Sequence, residues 1–236
     1  MTAGYIASMR SNVTIVNIAV ACDRDGMSSV SADSPGKKGY HHGALRSALV
    51  QASIALAREG GPDRVILREA ARAAGVSHSA AYRHFADREA LLAEVARFAR
   101  NELAAEMRRK VNRTKDPRRR LRAVGTAYID FALTETGLFR TAFTSHPATS
   151  GGRDDDGETD PFDVLGQVLD EAQAAGLLDP RRRAGAEIAA WSAVHGLAEL
   201  LVDGPLPTSA AGIKFSREQV LDLIECGLLN RSQTGS

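Results

Sequence analysis

Apolar positions follow the helical period over most of the chain. Between Ala44 and Glu59, the residues Leu45, Leu49, Ala52 and Leu56 fall at i, i+4, i+7 and i+11, one face of a helix. Gly60-Gly61-Pro62 stops it. Leu67 to Ala74 is a short second helix, and Gly75 is placed to take the left-handed conformation that ends helices. Ser77 is set to cap a third helix running through Phe85. Asp87 is set to cap a fourth, carried by Leu91, Leu92, Val95, Phe98 and Leu103 to about Val111, with a break at Pro117. Further helices are predicted over Leu121–Thr134, over Phe162–Ala175 closed by Gly176, over Ala184–Val202 stopped by Gly204-Pro205, and over Ser216–Leu229 with Ser216 as its cap. Ser145 to Asp160, rich in Gly, Ser and Asp, reads as a loop. No stretch alternates with period two, and no repeat of about 20–50 residues is present. The expected fold class is all-α.

Composition narrows this reading. The 236 residues are 44% hydrophobic and 25% charged, enough to bury a core, while the 5% aromatic share suits helices better than a β-sandwich or barrel. Two cysteines, Cys22 and Cys226, cannot build a disulfide framework. No window approaches the roughly 18 uncharged apolar residues of a membrane span. Residues 1–36 stand apart as a leader. Its apolar run from Thr14 to Cys22, after Arg10, has the look of a weak signal segment ending in a lipidated cysteine. Its shortness and Asn17 argue against export, and a cytoplasmic protein is expected. Asp23 to Gly36 has no period and reads as disorder, and Met27 offers a second start for the chain.

The formal net charge of +1 conceals a strong segregation. Residues 1–36 sum to −1, residues 37–122 to +11 and residues 123–236 to −9. A basic module that meets a polyanion, joined to a second module with another task, is one reading; a solvated basic face is the plainer one.

The segment from Leu67 to Phe85 decides between them. It reads as a short helix, a tight turn at Gly75-Val76-Ser77 and a second short helix, the helix-turn-helix pattern whose second helix enters the DNA major groove. That groove, about 12 Å wide, just admits a helix. Ser77, Ser79, Ala80 and Ala81 keep this one slim. His78 and Arg83 can reach base edges or phosphates, and Tyr82 and His84 carry donors suited to phosphate oxygens. The helix start at Asp87-Arg88 offers backbone N–H groups to a phosphate. Tyr82 and Phe85, three apart, could both be core; Phe85 is assigned to the core and Tyr82 to function. His41 and His42, adjacent and without further ligands, make no metal site, and a polar arm near the DNA backbone is the preferred reading.

From about Tyr40 to Leu103 the chain resembles the TetR family of bacterial transcriptional regulators. The resemblance rests on Ala74-Gly75-Val76-Ser77, Tyr82-Arg83-His84-Phe85 and Asp87-Arg88-Glu89-Ala90-Leu91-Leu92. Tyr40-His41-His42-Gly43 and Trp191 to Leu197 are similar to a subgroup with a Trp-His-Gly type C-terminal domain. The resemblance implies an all-helical homodimer with an N-terminal DNA-binding domain over residues 37–104, a C-terminal ligand and dimerisation domain over 105–230, and a tail over 231–236. It implies recognition-helix contacts from Ser77, His78, Ser79, Tyr82 and His84, a contact from Arg68 on the preceding helix, and a phosphate contact from Arg88. Two departures stand out. Val65 and Ile66 occupy positions where the family often has Thr or Ser, removing a side-chain cap, and Ala70 replaces a large aliphatic residue, loosening the packing expected there.

In the second part, Ile188, Trp191, Val194, His195, Ala198, Leu201 and Val202 share one helix face, and Val220, Leu221, Ile224 and Leu228 share another. The resemblance implies that these helices pair with their mates as a four-helix bundle. A pocket is expected among Tyr128, Phe131, Phe139, Arg140, Phe143, Trp191 and His195, aromatic groups in a domain otherwise rich in Ala and Leu. Arg140 and His195 would supply polar groups for a mostly apolar small effector with an acidic or hydrogen-bonding end; the plainer reading makes all seven core. Arg118-Arg119-Arg120 and Arg181-Arg182-Arg183 read as solvated helix starts. An enzyme is the rival class. Ser192, His195 and Glu199 share a helix, but a serine inside a helix lacks the strained turn and oxyanion hole of a hydrolase. No Gly-rich phosphate loop or HExxH motif occurs, and no cofactor is expected. The functional expectation is a regulator, a repressor released from a near-palindromic double-stranded operator by its effector. The alternative is a helix-turn-helix DNA-binding protein without effector.

Overall fold

A computed structural model of the protein describes residues 37–144 and 160–230. The expected disordered leader, the expected loop over 145–160 except its last residue, and the tail lie outside the described residues. The elements are α1 (Lys37–Gly60), a 3-10 turn (Pro62–Arg64), α2 (Leu67–Ala73), α3 (His78–Tyr82), α4 (Arg88–Val111), α5 (Pro117–Thr134), α6 (Thr136–Ala142), α7 (Pro161–Ala174), α8 (Pro180–Arg183), α9 (Ala186–Val202) and α10 (Ala210–Leu228). Among the described residues there is no strand, only an isolated bridge between Leu178 and Leu229. None of these helices is long and apolar enough to cross a membrane.

The helix starts follow from side-chain caps. Ser77 and Asp87 accept from the backbone N–H groups of Ala80 and Ala90, as their positions predict. Asp116, Asp160 and Asp179 cap α5, α7 and α8, and in each a proline follows at the first helical position. Proline is preorganised there because its missing N–H is an orphan donor anyway. Pro117 therefore opens a helix rather than merely breaking one. Two expectations are corrected. The last helix starts at Ala210, capped by Ser209 and not by Ser216. Gly212 lies in its first turn, where an added Cβ would lie 3.0 Å from Pro207, so a larger residue there would push the preceding chain outwards. The helix predicted over 184–202 begins at Ala186, because Gly185 takes φ 80° and separates it from α8. The third helix ends at Tyr82, although the Phe85 amide still reaches the Ala81 carbonyl. The element α6 is a helix that the sequence pattern does not announce.

One hydrophobic core runs through the described chain, and α4 is its axis. Leu91, Leu92, Val95 and Ala99 are buried in its first half, where Arg46 of α1 bonds Glu94, and Leu103, Ala104, Met107 and Val111 in its second; α5, α6 and α7 pack against the helix. The domain boundary expected near residue 104 thus falls inside α4. The end of α1 meets α6 backbone to backbone. An added Cβ on Gly137 would lie 2.1 Å from the Ala57 carbonyl oxygen. Arg100 Nη1 donates to the Ala142 carbonyl at 3.1 Å, tying α4 to α6. Asp130 on α5 accepts from Lys110 on α4 and, at 2.7 Å, from Arg217 on α10.

The apolar faces of α9 and α10 are split. Val194, Ala198 and Leu201 point into the core with Leu221 and Ile224, whereas Ile188, Leu200, Phe215 and Leu223 are exposed. Ile188 therefore does not share the inward face expected for it.

The contact at Gly137 makes a prediction. Replacing Gly137 by Ala forces backbone against backbone and lowers stability by about 1–3 kcal/mol, as overpacking does. Gly43→Ala, in an open part of α1 where an added Cβ meets nothing within 4 Å, raises stability by about 0.5–1 kcal/mol. Thermal unfolding followed by circular dichroism checks both signs.

Candidate functional site

The helix-turn-helix is built by small residues. Gly75 turns the chain at φ 69° and Val76 N–H donates to the Ala71 carbonyl, so α2 and α3 meet at a fixed angle. Ala70 and Ala71 of α2 and Ala80 and Ala81 of α3 are buried, and Phe85 closes the interface from below at 2% exposure. The opposite side of α3 presents Ser77, His78, Ser79, Tyr82 and Arg83, all exposed, with Arg68 exposed on α2. The rings of His78 and Tyr82 meet edge to face at 4.7 Å, which holds both over the same surface. Ser77 Oγ and Ser79 Oγ lie 3.2 Å apart. His84 is half-buried behind them. Ile66 caps α2 without a side-chain bond, consistent with the departure noted there.

Arg88 sits otherwise than the sequence suggests. Its Nε donates to the Val65 carbonyl at 2.9 Å and its Nη2 to the Pro62 carbonyl at 2.6 Å. Two of its donor atoms thus clamp the turn before α2. Asp87 Oδ1 already accepts the Ala90 amide, so that helix start is partly satisfied from within.

The second part holds a narrow, almost wholly apolar cavity of about 20 Å³. Its walls come from five helices: Met107 of α4; Leu121, Arg122, Val124, Gly125 and Tyr128 of α5; Leu165 of α7; Ala190, Trp191 and Val194 of α9; and Leu221, Ile224 and Glu225 of α10. Gly125 makes the crossing of α10 over α5 close, since an added Cβ would lie 2.5 Å from a Leu221 methyl. Beside the cavity the rings of Tyr128, Phe139, Phe143, Trp191 and His195 form one cluster. Tyr128 and Trp191 lie 5.0 Å apart, Phe143 and His195 5.2 Å, and Phe139 and Phe143 5.6 Å. Tyr128 Oη and His195 Nδ1 are hydrogen-bonded at 2.7 Å. Burial, with a contribution from the nearby Glu199 charge, pushes the Tyr128 hydroxyl far above its ordinary range and keeps it neutral.

Arg122 is one of the two charged residues that border the cavity. Its Nη1 donates to Asp222 at 2.6 Å and to Glu225 at 3.2 Å, and its Nη2 donates to Glu218. Burial opposes the positive charge, but the Asp222 hydrogen bond and the Glu225 and Glu218 charges outweigh it and hold the guanidinium above its usual pKa.

Two family profiles match this chain. Residues 49–95 match that of the bacterial regulatory proteins of the tetR family, and residues 121–224 match the tetracyclin repressor-like C-terminal domain. The chain belongs to the TetR family. It is a DNA-binding transcriptional regulator of that family. Among solved structures, a protein with unknown function from Rhodococcus sp. RHA1 is 29% identical, with TM-score 0.61, covering 82% of this chain and 100% of its own. The TetR family transcriptional regulator PfmR from Thermus thermophilus is 22% identical, with TM-score 0.53, covering 75% and 97% respectively. RolR, solved in complex with resorcinol, is 15% identical, with TM-score 0.56, covering 79% and 90%. The last two likenesses speak for the shared fold. No curated protein sequence matches the chain.

Of the seven residues expected to form the regulator's pocket, five stand together in the ring cluster, but only Tyr128 and Trp191 border the cavity. Phe139 is fully buried and Phe143 half-buried, and they act as packing behind the wall. Phe131 is buried and does not line the cavity. Arg140 is exposed and paired with Asp203 at the end of α9, Nε to Oδ2 3.0 Å, and this hydrogen bond holds its pKa up. It does not line this cavity. Arg122 and Glu225, which do line the cavity, were missed. The available signal was the carboxylate spacing Glu218, Asp222, Glu225, at i, i+4 and i+7 on one helix face. The two arginine runs are also more than solvated starts. Arg118 donates to the Asn230 carbonyl, Arg182 to that of Gly227 at 3.1 Å, and Arg183 pairs with Asp170 and Glu187.

Arg88 and Arg83 separate by experiment. Arg88→Ala leaves two carbonyls of the turn without these donors, so it lowers stability by about 1–3 kcal/mol as well as weakening DNA binding. Arg83→Ala, at an exposed position, weakens DNA binding without moving the melting temperature. Melting curves beside fluorescence-anisotropy titrations of a bound duplex read both.

Proposed function

We propose that this TetR regulator is a cytoplasmic homodimeric repressor of a near-palindromic operator, released by a small molecule bound in the five-helix cavity, and that it carries out no catalysis. The observation that carries the reading is the span of α4. This helix starts at Arg88 beside the reading head and places Met107 in the cavity wall. The two positions are roughly 28 Å apart along a rigid rod at 1.5 Å per residue. A ligand that displaces the wall moves the head, and with it the spacing of two heads in a dimer. The exposed Ile188, Leu200, Phe215 and Leu223 on α9 and α10 offer the apolar surface that a second copy would cover. RolR, which shares the fold, was solved with the small molecule resorcinol, and this supports a small-molecule ligand.

Catalysis finds no support in the arrangement. Ser192 is exposed on the middle of α9, and His195 Nδ1 is engaged with the Tyr128 hydroxyl.

Operator binding should weaken steeply with salt, on the order of a thousandfold between about 50 and 200 mM, as counterions are released. His78→Ala or Ser79→Ala should change sequence preference. Genomic fragments recovered by chromatin mapping and titrated by anisotropy give the measurement. Salt-independent binding, or no bound fragment at all, would sink the reading.

A further inference from the structure

Asp116-Pro117-Arg118-Arg119-Arg120 and Asp179-Pro180-Arg181-Arg182-Arg183 are the same five residues, placed twice in the chain. Both copies fold alike. In each, the aspartate caps a helix start, the proline follows it, and no acidic residue stands in the first turn. Cations there lie against the helix field, which favours anions at an N-terminus. Local helix stability therefore does not account for them. The last arginine of each copy takes one of two adjacent acids on α7: Arg120 pairs with Glu171 at 2.9 Å, and Arg183 with Asp170 at 2.7 Å. A second arginine of each takes a carbonyl at the end of α10, Arg118 that of Asn230 and Arg182, at 3.1 Å, that of Gly227. These carbonyls are three residues apart, at most about 11 Å of backbone. The two copies thus border one end of the same domain. The arginines left over, Arg119 and Arg181, are exposed, and Arg119 meets only the Asp116 of its own cap, at 3.6 Å. Arg113 and Lys115, in the short connection that leads into the first copy, are exposed as well.

The length of α4, from Arg88 to Val111, lies between this end and the reading head, roughly 35 Å at 1.5 Å per residue. Most of the basic excess is nevertheless here. Residues 105–122 carry nine Lys and Arg against Glu106 and Asp116, a net +7 of the +11 found over residues 37–122. DNA reading by α3 does not use these charges. Exposed arginine forks match carboxylates or phosphates, which they can hold bidentately. The neighbouring acids decide between the two. Asp170 and Glu171, with side chains 67% and 44% exposed, stand beside the surface. A duplex carries one charge per about 1.7 Å along its whole length and would lie against them. A short extended peptide can set its carboxylates on the arginines alone. We propose that the twin helix starts form a docking surface for an acidic segment of a partner protein, separate from the head that binds the operator.

A fluorescein-labelled oligoglutamate peptide, titrated into the full-length protein and followed by anisotropy, tests it, with the same peptide built from glutamine as control. The acidic peptide should bind and the glutamine peptide should not. A distal variant carrying Arg113→Gln, Lys115→Gln, Arg119→Gln and Arg181→Gln should bind the acidic peptide at least about tenfold more weakly. Arg119→Gln with Arg181→Gln alone should weaken it by about threefold, and melting curves show that both variants are folded. A head variant, Arg68→Gln with Arg83→Gln, should bind the peptide as the parent does. Equal binding of both peptides, binding that survives in the folded distal variants, binding lost in the head variant instead, or no binding at all overturns the docking surface. A duplex of random sequence, titrated into the head variant, decides the class of partner. If it binds more tightly than the peptide and is lost on adding the distal substitutions, the surface is one for nucleic acid and the proposal of an acidic segment falls.

Discussion

The helix α4 has to satisfy two packing problems at once. Its 24 residues present an unbroken buried stripe from Leu91 to Val111, and the helix is tied at its start to the turn before α2 through Arg88 while α5, α6 and α7 pack against it. A helix with a single continuous apolar face cannot shift for one partner without shifting for the other, because protein interiors are packed like crystals and not like oil. The meeting of α1 and α6 at Gly137 closes a second link between the same halves, this time through backbone atoms that cannot adjust by changing rotamer. The two halves are thus joined by rigid packing, with the exposed ion pair between Arg58 and Glu135 adding little on its own.

Charge does different work in the two halves. In the N-terminal half the basic excess remains on the surface, as Arg68, Arg72 and Arg83 around the reading helix show. In the C-terminal half the acidic residues are turned to internal pairing. Glu171 holds Arg120, Asp130 holds Lys110 and Arg217, and three carboxylates surround Arg122. The numerical split along the chain is therefore exposed cations in one half and a set of struts in the other.

Much of the reading head is legible in the order of residues alone. Caps such as Ser77 and Asp87 and the left-handed Gly75 act within four residues, and local rules describe them well. The two helix starts that local pattern misplaces, at Ala186 and Ala210, each involve a glycine whose role depends on where the chain turns next. The cavity is harder. Sequence pattern finds aromatic residues but cannot say whether they face a void or fill one. Phe139 and Phe143 fill, Trp191 faces, and the difference lies in contacts from α9 that no local period encodes. Arg88 shows the same limit at a single side chain: position marks it as a DNA contact, while its hydrogen bonds turn it back to Pro62 and Val65.

The brevity of α3 has a consequence for how much sequence the protein can read. Five helical residues with the capping Ser77 and Arg83 rise roughly 10 Å at 1.5 Å each, which spans about three base pairs along a duplex that climbs 3.4 Å per step. A head of that reach distinguishes on the order of 64 sequences, whereas a bacterial genome offers about a million or more competing sites. Doubling the head squares the discrimination to roughly 4,000, still short of a unique address. The shortfall has to be met by features that are sensed without touching a base, such as the spacing between half-sites and the willingness of the DNA to bend into register. A regulator built on so short a reading helix is, in informational terms, a gauge of DNA geometry as much as a reader of its letters.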